Sequence, residues 1–151
     1  MGTMYLMCGA PGCGKSYYIK THLKEGEKVI SRDEIRFGML KDGDEYFSKE
    51  KEVYNEFLRR IRAEIAAGSD FYVDQTSLNT GARAKLLNRL DKKPTKLIAI
   101  YIDRPIERIL FQNSQRTGRA LVPEDAVINM FNSIEIPTKK EGFDDIWIIK
   151  D

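Results

Sequence analysis

The apolar positions of this chain fall into two alternating rhythms. Short, nearly continuous apolar runs occur at "MYLMC" (4–8), "KVIS" (28–31), "DFYVD" (70–74), "TKLIAIYID" (95–103) and "DIWIIK" (145–150), each of strand length. Helical patterns lie between them. "KSYYIKTHLKE" (15–25) stops at Gly26, and "RDEIRFGML" (32–40) runs into the polar turn "KDGDE". Residues 46–67 carry Val53, Phe57, Ile61 and Ile65 at four-residue spacing, which predicts one long helix closed by Gly68. Asn79 or Thr80 caps a helix with Leu86, Leu87 and Leu90. Asp103 and Pro105 start one with Ile106, Ile109 and Leu110 on one face. Pro123, Glu124 and Asp125 start another, with Val127, Met130, Phe131 and Ile134 as its core stripe.

Strand and helix alternate along the whole chain, with no repeat, linker or low-complexity tract. That predicts one α/β domain over residues 1–151, with a parallel sheet of about five strands and helices on both faces. The run 95–103 is apolar almost throughout, as expected of a central strand buried on both faces. Phe57, Phe111 and Phe131 lie on apolar stripes and are expected in the core.

Composition adds little beyond a folded domain of ordinary apolar content. The formal net charge of +2 neither demands nor excludes a nucleic-acid partner, because a local basic patch can sit inside a near-neutral total. Cys8 and Cys13 straddle a glycine-rich loop, and His22 is the single histidine, so soft ligands are too few for zinc. Reduced thiols in a cytoplasmic protein are the expectation. No signal peptide and no bilayer-spanning run is visible, so no membrane partner is expected.

The chemistry begins at "GAPGCGKS", read as G-x-x-x-x-G-K-S between a predicted strand and a predicted helix. Gly9, Ala10, Pro11, Gly12, Cys13, Gly14, Lys15, Ser16 and Tyr17 are the candidate ATP-binding residues, for ATP or another nucleoside triphosphate. The glycines let backbone N–H groups turn toward phosphates, and the helix N-terminus adds partial positive charge. Lys15 is expected on the β and γ phosphates and the Ser16 hydroxyl on Mg²⁺. No D-x-x-G follows a strand, and "NRLD" (88–91) reads as helix surface rather than as a guanine-reading motif. Size and layout suit a small kinase.

Two further segments bear on the acceptor. In "VISRDEIRFG", Asp33 and Arg36 share one face if the segment is helical. The carboxylate then accepts a hydroxyl proton while the guanidinium holds an adjacent phosphate, or the pair is an ordinary acidic helix start. In "SQRTGRALVP", Arg116 and Arg119 flank Gly118 between two helices. They form either a lid that neutralises the moving phosphoryl group or a solvated charged loop.

Taken in order, "CGAPGCGKS", "SRDEIR", "DQTSLN" and "DRPIERILFQNSQRTGRALVP" cover most of the chain. In these segments it resembles the 5′-hydroxyl polynucleotide kinase domain of bacteriophage end-healing enzymes and their bacterial relatives. The resemblance implies a P-loop kinase-like three-layer α/β fold with a helical lid at about 113–125. It implies ATP-dependent transfer of the γ-phosphate to the 5′-OH of DNA or RNA, with Mg²⁺. Asp33 is implied as general base and Lys15 and Arg116 as catalytic cations. Arg36 would grip the phosphate beside the terminal nucleoside, and Arg119 would join Arg116 on the ATP phosphates. Val122 would lie near the acceptor base, and Asp74 would be an outer-sphere partner of the metal. A cytoplasmic enzyme, of a cell or of a phage in its host, without a stable protein partner, is the corresponding expectation. "DQTSLN" departs from the D-T-N-L-N of some relatives, and "QRTGR" differs in order from the R-G-T-K of the phage enzyme. No D-x-D-G-T occurs, so no 3′-phosphatase activity is expected. Two other readings stay open: a small-molecule kinase acting on a nucleoside, sugar or antibiotic hydroxyl, and a nucleotide-binding module without phosphoryl transfer.

Overall fold

A computed structural model describes residues 2–150 of the chain. Five strands form one sheet: β1 (Thr3–Cys8), β2 (Lys28–Ser31), β3 (Phe71–Asp74), β4 (Lys96–Ile102) and β5 (Asp145–Ile149). Their spatial order is β2-β3-β1-β4-β5, and every neighbouring pair is parallel. The helices are α1 (Lys15–His22), α2 (Arg32–Met39), α3 (Glu50–Ala67), α4 (Thr80–Leu87), α5 (Ile106–Ser114) and α6 (Glu124–Asn132).

The two-residue repeat of the strands divides the apolar side chains between two cores. Met4, Leu6 and Cys8 of β1 and Leu97, Ala99 and Tyr101 of β4 face one core. Ile35 of α2, Val53, Phe57 and Ile61 of α3, and Leu86 of α4 complete it. Met7 of β1 and Ile98, Ile100 and Ile102 of β4 face the other core, with Ile19, Ile109 and Val127 from α1, α5 and α6. The result is a three-layer α/β fold of the P-loop kinase type. Each fully buried Leu, Ile or Phe contributes about 1.5–3 kcal/mol.

The expectation that 95–103 is an interior parallel strand holds: β4 lies between β1 and β5, with β1 at the middle of the order. β4 is buried on both faces because α-helices cover it and β5 pairs its outer edge. Several other expectations need correction. Phe111 is 65% exposed rather than in the core. The buried side of α5 is set by Ile109 and Asn113, and a position two residues from each points about 200° away around the helix. α1 ends at His22, short of Gly26, because Leu23 turns extended and Glu27 accepts the Lys24 N–H in a separate turn. α3 begins at Glu50 rather than at residue 46. Residues 45–49 form turns in which Tyr46 and Phe47 pack edge to face at 4.7 Å. Ile134 and Leu90 lie beyond the ends of α6 and α4, where they still pack against the core. "NRLD" sits just past α4, where Asn88 caps the helix and Asp91, at φ 64, pairs with Arg62 at 3.2 Å. The caps at Asn79 and Gly68 form as expected.

Burial pushes the Cys8 thiol up to about 12, the approach of Arg83 only partly opposing it, and Cys8 and Cys13 are both free and buried. Among the described residues no helix is long and apolar enough to cross a membrane.

One buried ion pair ties the loop after β3 to the segment before β5. Arg83 is fully buried; it donates to both carboxylate oxygens of Glu141 and to the carbonyls of Ser77 and Glu135 at 2.7–3.2 Å. For Arg83→Ala we expect about 3–5 kcal/mol of lost stability in urea unfolding, because the Glu141 carboxylate loses its counter-ion, keeping only Thr138 as a donor among the described residues, and the Ser77 and Glu135 carbonyls lose the guanidinium. A loss within about 0.5 kcal/mol of wild type would show that the pair does not hold these segments.

Candidate functional site

Parallel strands deliver their carboxyl ends to one edge of the sheet, and the chemistry-bearing residues gather there. Gly9 follows β1 directly, and its N–H donates to the carbonyl of Thr76, just past β3. The loop then turns to Gly14 at φ 102, and α1 opens with Lys15. Gly12 sits at φ 89, and a Cβ there would stand 2.8 Å from the Ile109 carbonyl of α5. Glycine is therefore required at this position twice over, by conformation and by space. Lys15 is buried, and its Nζ donates to the carbonyls of Gly9 and Ala10 at 3.0 and 3.2 Å. The Ser16 hydroxyl donates to Asp74 Oδ2 at 2.7 Å. The last residue of β3 thus stands beside the first turn of α1. This pair of hard oxygens suits Mg²⁺, which binds through one or two protein groups together with substrate phosphates and water. Among the described residues no group of three His, Cys, Asp or Glu forms a metal cage of its own.

α2 starts on the neighbouring strand end. Ser31 caps it, accepting the Glu34 N–H at 3.2 Å. Asp33 and Arg36 share a face, and Arg36 Nη1 donates to Asp33 Oδ1. Asp33 is 61% exposed, whereas the Arg36 side chain is 7% exposed. Glu50, in the first turn of α3, accepts from Arg36 Nε and Nη2 at 3.0 and 2.7 Å and from Arg32 Nη2 at 2.7 Å. Tyr46 accepts from Arg36 Nη1 and donates to Asp33. Burial works against the charge of Arg36, but its bonds to Glu50 and the negative field of Glu50 and Asp33 hold its pKa above the ordinary value. Burial would raise the Glu50 carboxyl, yet the hydrogen bonds from Arg36 and Arg32 outweigh it and leave the group below its ordinary 4.5.

The segment after α5 holds Arg116, Gly118 and Arg119, with a single 3₁₀ turn at Gly118–Ala120. Arg116 Nη1 lies 3.4 Å from the Ala120 carbonyl. Arg119 Nη2 donates to the carbonyls of Lys41 and Asp44, so this arginine bridges to the turn after α2. Asn113 is buried and makes a reciprocal pair with the Val122 backbone, donating to its carbonyl at 2.7 Å and accepting its N–H at 3.1 Å.

These three regions line one cavity of about 1270 Å³. Pro11, Gly12, Gly14, Lys15, Ser16 and Tyr17 form its floor, Asp33, Arg36 and Asp74 one side, and Arg116, Arg119 and Val122 the other. Gly9, Ala10 and Cys13 lie beneath the floor, where the first two carbonyls receive Lys15. Sequence reasoning missed Glu50, Tyr46, Arg32 and Asn113. Nothing in the spacing connects residue 50 to residue 36. Asn113 stands within the quoted lid segment, where an amide three residues before Arg116 was the available signal.

A family model described as an AAA domain matches residues 4–137. The chain is 26% identical over 147 residues to the L-seryl-tRNA(Sec) kinase of Methanococcus maripaludis, covering 93% of this chain and 56% of that protein. It thus spans little more than half the length of this curated relative. Among solved structures, a Pnkp1/Rnl/Hen1 RNA repair complex contains a chain that superposes with a TM-score of 0.74. The identity is 18%, over 95% of this chain and 46% of that one. A sugar kinase from Janibacter sp. superposes with a TM-score of 0.67 at 16% identity, over 99% and 86% of the two chains. At these identities the likeness to solved structures shows the fold.

The Glu50 contacts set a pH dependence. A carboxyl depressed in the folded state adds stability that is complete above its unfolded value of about 4.5 and is lost as pH falls through the lower folded value. We expect Glu50→Gln to be less stable than wild type at pH 7 and to show a flatter loss of stability below pH 4.5, measured by urea unfolding from pH 3 to 7. Parallel curves for the two proteins would contradict this.

Proposed function

This chain belongs to the AAA domain family, and we propose that it is an ATP-dependent kinase that phosphorylates the 5′-hydroxyl end of DNA or RNA. One observation carries the reading: the joined pair Asp33 and Arg36 shares a cavity with Lys15 and Ser16 of the phosphate loop. That arrangement sets an exposed carboxylate and a buried cation opposite a triphosphate site. The curated relative, a kinase of a seryl-tRNA, supports an acceptor hydroxyl carried on nucleic acid.

In this reading the phosphates of ATP lie on the backbone N–H groups of residues 9–16, and Lys15 leaves the loop carbonyls for the β and γ phosphates. Ser16 and Asp74, joined at 2.7 Å, would hold Mg²⁺ directly or through water, and the ion would supply positive charge against the triphosphate. The acceptor 5′ oxygen forms a bond to the γ-phosphorus as the bond from that phosphorus to the β–γ bridging oxygen breaks. The hydroxyl proton passes to the Asp33 carboxylate, and ADP leaves. Arg36 offers five N–H groups, of which Glu50, Asp33 and Tyr46 engage four. The fifth is left for an acceptor phosphate next to the terminal nucleoside. Arg116 meets the transferring phosphoryl group from the lid, and Val122 packs near the acceptor base. Arg119 joins Arg116 when it releases the carbonyls of Lys41 and Asp44.

The second reading is a kinase of a small hydroxyl compound, favoured by the sugar kinase among the structural neighbours. The two differ in what Arg36 must grip. γ-Labelled ATP and Mg²⁺ are offered with a 5′-OH oligonucleotide, a nucleoside 3′-monophosphate and an unphosphorylated nucleoside. We expect label on the first two and little on the third. Asp33→Asn should lower kcat by about 10²–10⁴ with at most a small fall in thermal midpoint, since the side chain is mostly exposed. Label on the free nucleoside alone would replace this reading with the second.

A further inference from the structure

A smaller cavity of about 200 Å³ lies behind the acceptor side of the main one. Arg32, Gln75 and Thr76 line both, so these three residues form the wall between them. Tyr54, Ser77, Ala82, Lys85 and Leu86 complete its lining, and none of the lining residues is acidic. At about 30 Å³ per water molecule, the space admits several waters or one phosphate group.

Positive charge converges there. Arg32, Lys85 and Arg89 lie over the ring of Tyr54 at 4.9, 5.6 and 5.5 Å from its centroid. Arg32 is paired with Glu50, but among the described residues neither Lys85 nor Arg89 has a carboxylate partner. Arg32 and Lys85 line the cavity and Arg89 lies on the same ring, so three cations crowd one aromatic and an anion beside them would relieve their repulsion.

Two buried polar atoms of the same lining have no hydrogen-bond partner: Arg32 Nε and Ser77 Oγ. Ser77 is 2% exposed and is held in the left-handed region at φ 45, a costly conformation for a serine. Arg32 Nε can only donate, and a buried donor left without an acceptor costs about 1–3 kcal/mol. The cluster therefore combines cations in excess with unmet donors, which is the complement of a phosphate oxygen.

We propose that this cavity binds the phosphodiester next along the acceptor strand from the phosphate gripped by Arg36. The proposal rests on the polynucleotide reading above. Arg32 and Arg36 lie one turn apart on α2 and both donate to Glu50, so one carboxylate organises two neighbouring phosphate positions. The Arg32 contact with Gln75, at 3.3 Å, is long enough to yield to a phosphate oxygen. Inorganic phosphate has the same chemistry and is the alternative occupant.

The full chain is titrated calorimetrically with a nucleoside 3′-monophosphate, with a 5′-OH dinucleotide 3′-phosphate that adds one phosphate, and with inorganic phosphate. In wild type the added phosphate should tighten binding about tenfold. The double variant Lys85→Ala, Arg89→Ala alters only exposed side chains and should fold normally. It should lose this gain, bind the monophosphate as before, and show a log Kd against log salt slope smaller by about 0.7 for the lost phosphate. No gain in wild type, or an equal gain in the variant, overturns the proposal. So does binding of inorganic phosphate that depends on Lys85 and Arg89 without any gain from the dinucleotide. Phosphoryl transfer is followed in parallel. A binding gain without transfer refutes the kinase reading alone, and transfer without the gain refutes the cavity assignment alone.

Discussion

Every group with chemistry in this chain depends on the parallel pairing of β1 with β3 on one side and β4 on the other. Because all five strands run the same way, Gly9, Ser31 and Asp74 emerge at one edge. The helices that follow β1 and β2 therefore begin at that edge with their N-termini facing a common space. The hydrogen bond from Gly9 to the Thr76 carbonyl and the one from Ser16 to Asp74 are direct products of that pairing. Neither could be made by a sheet with one strand reversed.

On this frame the α2 side of the cavity is built from charge rather than from apolar packing. Arg36 is nearly buried, and Glu50, Asp33 and Tyr46 compensate its charge there. Removing any one of these shifts the balance on the others, since they share a single guanidinium. The side formed by the segment after α5 is organised differently. There, Asn113 fixes the Val122 backbone through two neutral bonds, while the arginines beyond it are held only by carbonyls. A rigid anchor followed by lightly held cations fits a segment that closes over charge.

The legible part of this molecule was what depends on short-range order. Strand runs, the Asn79 cap, the Gly68 stop and the phosphate loop are encoded within a few residues, and they form where the pattern places them. The pairing of Asp33 with Arg36 was equally visible, as a three-residue step on a helix. The miss at Phe111 came from counting apolarity without phase, since Ile109 and Asn113 decide which way α5 faces. The order of the strands and the contacts of Glu50 depend on distant segments, and no local spacing carries those. Arg83 is the sharpest case: an arginine in the middle of an unremarkable helix is the largest of the fully buried side chains among the described residues.

The register of the sheet also has a consequence for how the protein is made. Thr3 pairs with Lys96 and Met4 with Phe71, so β1 has no partner until about sixty further residues have been made. Such non-local closure slows folding and leaves apolar segments exposed meanwhile. Met4, Leu6 and Met7 are the groups that wait. A nascent chain halted ahead of Lys96 contains every residue of the phosphate loop but only one of the two strands that flank β1.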